Sequence, residues 1–149
     1  MSRTLRILLG VLSLGVIFTS CREPMSRETF RSGTGPFEFE VLMTDTSMRY
    51  DFTFYTRIDA SRDHLGSFSG RNITVRWTSP SDSLYEETVF MPMLDSSAGF
   101  YSRQVVVPYR SGVLPVEPGV WKMRVTVDSA STVPGLRGLG LVFRKRRAE

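Results

Sequence analysis

Between Trp121 and Asp128 every second residue is apolar and every other one polar: Trp121, Met123, Val125 and Val127 against Lys122, Arg124, Thr126 and Asp128. A period of two without exception over such a run excludes a helix. It demands an extended strand with one dry face and one wet face. The same rhythm returns in Tyr50–Ile58, where Tyr50, Phe52, Phe54 and Ile58 share a face, and in Asn72–Trp77, where Ile73, Val75 and Trp77 do. The enrichment in β-branched and aromatic residues agrees with this reading.

Turn-forming clusters separate these runs: Thr44–Ser47, Ser79–Asp82, Asp95–Gly99 and Glu117–Gly119. Seven strands are expected, over about 37–43, 50–58, 72–78, 84–91, 102–109, 120–128 and 139–144. Pro92 and Pro108 are expected at strand ends, where a missing N–H does least harm. Many short strands with turns between them predict an all-β domain, an antiparallel β-sandwich of about seven strands. A small barrel is the alternative. With 41% hydrophobic and 11% aromatic residues, one domain can fill a full core.

The N-terminus follows a different logic. Arg3 and Arg6 precede the apolar run Ile7–Phe18, then the small residues Thr19–Ser20, then Cys21, the only cysteine of the chain. This is the order of a secretory signal peptide, with cleavage after residue 20. A lone cysteine cannot form an internal disulfide. Directly behind such a segment it is the expected lipidation site of a bacterial lipoprotein. A spanning helix fits less well, because Leu5–Phe18 as a helix covers roughly 21 Å against the roughly 30 Å of a hydrocarbon core. Residues 1–20 are therefore expected to be a cleaved signal peptide. Residues 21–36, rich in Arg, Glu, Ser, Thr, Gly and Pro, are expected to be a lipidated tether, and residues 37–149 the β-sandwich.

Candidate chemistry is sparse. His64 is the only histidine, beside Asp63, and no nucleophilic serine accompanies it. Gly66–Gly70 has the outer glycines of a nucleophile elbow but Phe68 at its centre. Glu38 and Glu40 fall on the wet face of their strand, and Glu86–Glu87 carries no signal of a raised pKa. The scattered aspartates lack calcium-loop spacing. No catalytic residues, cofactor or metal are expected, and the protein reads as a non-enzyme. The formal charge of +4 resides at the ends, in Arg3 and Arg6 and in Arg144–Arg147, which argues against a nucleic-acid partner. The closing basic run could instead touch anionic head groups or an acidic partner. Trp77 and Trp121 have core parity. Tyr85, Tyr101 and Tyr109 fall near strand ends, where a sugar or peptide groove could use them.

In several segments the chain resembles the gliding-motility lipoprotein H family of the Bacteroidota. The segments are the lipoprotein signal, the aromatic strand around Tyr50–Arg57, the strand opening Asn72-Ile73-Thr74-Val75, Glu117-Pro118-Gly119-Val120-Trp121, and the closing Leu136-Arg137-Gly138-Leu139-Gly140-Leu141. The resemblance implies a non-enzymatic lipoprotein of the envelope machinery for gliding and its linked secretion system. It would be acylated at Cys21, held at a membrane facing the periplasm, and in contact with envelope proteins. The alternative expectation is a lipid-tethered module that binds carbohydrate or peptide.

Overall fold

The computed structural model describes residues 25–59, 70–92, 97–98, 103–128 and 133–147. Among them there is no helix. The strands are β1 (Ser26–Ser32), β2 (Phe37–Met43), β3 (Met48–Ile58), β4 (Arg71–Thr78), β5 (Leu84–Met91), the two-residue β6 (Ser97–Ala98), β7 (Arg103–Val113), β8 (Gly119–Val127) and β9 (Leu136–Arg147). One sheet has the order β1-β9-β3-β7-β6 and the other β2-β8-β4-β5. Every pairing is antiparallel. The β-sandwich expected from the alternation is the observed fold.

Parity places the core between the sheets. Phe37, Phe39, Val41 and Met43 on β2 are buried, while Glu38 and Glu40 between them are exposed. Trp121, Met123, Val125 and Val127 on β8 meet Tyr50, Phe52 and Phe54 on β3 and Leu139, Leu141 and Phe143 on β9 in one cluster. Outward-facing charges pair along the surface of the four-stranded sheet, as in Arg124 with Glu38 at 3.3 Å across the β2–β8 ladder.

Two expectations need correction. Part of the tether expected over residues 21–36 is a strand, since Ser26–Ser32 pairs along its whole length with β9. Its side chains are exposed apart from a half-buried Thr29, so it covers none of the core and leaves no apolar alternation in the sequence. Its order comes from the ladder. Phe30 and Tyr55 both lie opposite Gly140, from either side of β9. Their rings stack across it with centroids 5.8 Å apart. Glycine is required there, because a Cβ on Gly140 would lie 2.0 Å from Tyr55 Cζ.

The second correction concerns Pro108, which sits inside β7 opposite Thr53. Phe52 then faces Arg110, so Tyr109 is an extra residue on β7, and a further irregularity separates Phe52 from Tyr50. Among the described residues β6 pairs only with Arg103 and Gln104, and β7 has no partner on that side from Val105 onward. Edge position and bulge are the settings in which a strand tolerates proline.

Candidate functional site: an aromatic pocket at one end of the sandwich

Bulges re-aim side chains, and the one at Tyr109 does so here. The Tyr109 ring packs on Phe54 at 4.9 Å, and its hydroxyl accepts a hydrogen bond from Trp77 Nε1 at 3.1 Å. The same hydroxyl donates to Glu87 Oε1 of β5, in the opposite sheet. Arg110, next along the bulged strand, donates from Nε to Glu87 Oε1 at 3.2 Å, and its terminal nitrogen engages Oε2. The guanidinium carbon also lies 5.9 Å from the Tyr109 ring centre. Together these residues tie the two edge strands β5 and β7 across the open flank of the sandwich.

The electrostatics follow from this geometry. Hydrogen bonds from Arg110, helped by the one from Tyr109, hold the Glu87 carboxyl below its ordinary value against the opposing effect of burial. Burial, then the carboxylate beside it, pushes the Tyr109 phenol up to about 12. At neutral pH the set is thus a charged Glu–Arg pair with a protonated tyrosine between the layers.

Beside this clasp lies a pocket of about 310 Å³. Trp77, Tyr85, Trp121 and Phe52 form its aromatic wall, Met43 and Val113 add aliphatic surface, and Leu114-Pro115-Val116 overhang it from the β7–β8 connection. Trp77 meets Trp121 edge-on at 6.3 Å, and Tyr85 lies 6.2 Å from Trp121. Trp121 is 6% exposed, whereas Tyr85 is 50% exposed and forms the rim. The loop below is stitched in place: Ser81 Oγ donates to Glu117 Oε1 at 2.7 Å, and Trp121 Nε1 donates to the Glu117 carbonyl at 3.2 Å. Hydrogen bonds from Ser79 and Ser81 hold Glu117 below its ordinary pKa.

Both indole N–H groups, the Tyr109 hydroxyl and the Glu87 oxygens are therefore engaged within the protein, and the wall turned to the pocket is aromatic and aliphatic carbon. A larger hollow of about 530 Å³ lies on the outer face of the four-stranded sheet, among Arg31, Glu38, Glu40, Arg76, Lys122 and Arg124. Among its charges Arg124 pairs with Glu38, and Arg76 pairs with Glu86 on the neighbouring strand. It lacks the aromatic wall and the position between layers that mark a binding site.

Trp77 and Trp121, expected in the core, do pack there and also wall the pocket. Tyr85 and Tyr109, expected near strand ends as potential groove residues, both line it. Glu87 and Arg110 gave no local signal, since nothing in either strand shows that the two edges face each other. Glu38, Glu40 and Glu86 are exposed strand residues, as expected. Cys21 and the signal peptide, His64 with Asp63, Phe68 and Tyr101 lie outside the described residues. Among the described residues no cluster of three or more His, Cys, Asp or Glu could hold a metal ion.

No family model matches the chain, and no curated protein matches it either. Solved structures similar to it include a Cry1Da tryptic core variant from Bacillus thuringiensis, at 11% identity and TM-score 0.41 over 74% of this chain. Another is the Bacillus licheniformis lipase BlEst2 in its propeptide form, at 11% identity and TM-score 0.42 over 93% of this chain. A third is the Yersinia pseudotuberculosis-derived mitogen, at 10% identity and TM-score 0.32, covering 82% of this chain and 86% of that one. The chain spans 17% and 26% of the first two proteins.

Proposed function

We propose that this protein is an envelope lipoprotein, anchored through Cys21, whose sandwich binds a protein partner without catalysis. The observation that carries the binding role is the aromatic pocket. It offers apolar surface framed by the clasp, while both indole N–H groups, the Tyr109 hydroxyl and the Glu87 carboxylate are already engaged within the protein. A sugar needs donors and acceptors for its hydroxyls, whereas an apolar side chain of a partner segment needs only the carbon wall. Assembly within the gliding and secretion machinery of the resembled family fits this reading. The exposure of Leu84 and Phe90 along the edge strand β5 favours it too, because an apolar edge strand is a surface for protein contact.

The test is crosslinking in intact cells, followed by recovery from solubilised membranes, with the native protein and with Tyr85→Ala. A specific protein partner should be recovered with the native chain and lost with the variant. Recovery of no partner, or equal recovery with both, would refute the pocket as the binding site. Binding of the domain on a glycan array would support the carbohydrate-binding alternative instead.

A further inference from the structure

One end of the sandwich gathers the start of β1 and the end of β9. Ser26 pairs with Arg144, and the Lys145 N–H donates to the Met25 carbonyl at 2.8 Å. Met48 opposite Arg147 and Tyr50 opposite Val113 bring the start of β3 and the end of β7 to the same place. In the other sheet, Met43 opposite Gly119 and Thr78 opposite Leu84 do likewise.

Two kinds of side chain are concentrated at this end. Arg144, Arg146 and Arg147 are exposed. Arg49, half-buried beside them, reaches the Gly112 carbonyl at 3.2 Å. Two carboxylates at this end are engaged within the protein. Asp51 accepts from the Gly112 N–H at 2.6 Å and from Arg146 at 2.8 Å, and Asp45 accepts from Ser47 Oγ at 2.6 Å. Aliphatic side chains are exposed at the same end: Met25 is 64% exposed, Leu114 48% and Val116 76%. Basic residues beside protruding aliphatic ones are what an interfacial surface needs, head-group attraction together with shallow insertion.

The path of the chain points the same way. From Cys21 to Met25 an extended backbone spans at most about 14 Å. An acyl chain on Cys21 would hold this end close to the bilayer. That distance argument rests on the lipoprotein reading; the composition of the surface does not. We propose that this end of the sandwich docks on an anionic lipid surface, with Arg144 and Arg147 on the head groups and Val116 and Leu114 reaching beneath them.

The test uses the chain from residue 21 onward with Cys21→Ser, which holds every described strand and carries no acyl group. It is floated with vesicles of phosphatidylcholine alone or mixed with phosphatidylglycerol. Binding should favour the anionic vesicles at least tenfold and should weaken as salt is added. Each arginine neutralised should cost about fivefold at such a surface, and each one reversed more. R144E/R147E should therefore abolish the preference, while R31E/R57E at the other end retains it. V116D should lower binding further, with thermal unfolding showing that each variant is folded. No preference in the parent chain, or equal binding by R144E/R147E and the parent, overturns the docking surface. Mass spectrometry of the native protein tests the anchor separately. Absence of acyl groups together with anionic binding removes the anchor and leaves the docking surface standing.

Discussion

Glu87 is a single carboxylate that receives hydrogen bonds from two residues of the opposite sheet, Tyr109 and Arg110. Its pKa is lowered in the folded state from an ordinary value of 4.5. A depressed carboxylate contributes stability that is fully present above its unfolded pKa and is lost as pH falls through the folded one. The domain should therefore lose stability on acidification below about pH 4.5, and Glu87→Gln should flatten that part of the profile while lowering stability at neutral pH. Denaturant unfolding across the acid range measures both; a profile unchanged by the substitution would show that Glu87 does not hold the flank. Trp121, at 6% exposure, makes a second prediction at this scale. Trp121→Ala should destabilise the domain by about 3–5 kcal/mol, read from the same unfolding curves. A loss below roughly 1 kcal/mol, the size of a modest surface change, would contradict its burial.

At the scale of the element, β9 owes its place to glycine. A Cβ on Gly138 would lie 2.1 Å from the Arg31 carbonyl oxygen, and one on Gly140 would meet the Tyr55 ring. The Leu-x-Gly segment noted in the sequence thus has a packing reason. It lets β1 and the Phe30–Tyr55 stack close over β9. Gly140→Val should cost about 1–3 kcal/mol and expose β1 to proteolysis. In a Tyr55→Ala background the same change should cost less, because the ring it strikes is gone. Equal costs in the two backgrounds would show that the ring is not the obstacle. Strands with one buried face, such as β2 and β8, were legible to the residue because parity and burial coincide. β1 was not legible, since Ser26, Arg27, Glu28, Arg31 and Ser32 are exposed and only pairing orders them. Nor was the position of Pro108, because the bulge that accommodates it depends on β3.

For the whole molecule, the sandwich arises from alternation, whereas the pocket arises from which edges face one another. Trp77, Trp121, Tyr85 and Tyr109 could each be singled out along the chain. The Glu87–Arg110 clasp that frames them joins residues of two strands in different sheets, and no pattern within either strand encodes it. The anchor belongs to this scale as well. Cys21→Ser should leave the domain folded, with an unchanged unfolding midpoint, and either release it from membranes or stall its processing. Fractionation of cells decides this, and full membrane retention with normal cleavage would contradict the acylated anchor. The two strands that border this flank also differ in what they can join. Pro108 offers no amide proton on the side of β7 that has no partner from Val105 onward among the described residues, so a foreign strand laid there would find its ladder interrupted. β5 contains no proline and carries Leu84 and Phe90 in the open. Of the two strands that the clasp joins, β5 is therefore the one along which a neighbour's strand could extend a sheet without meeting a proline.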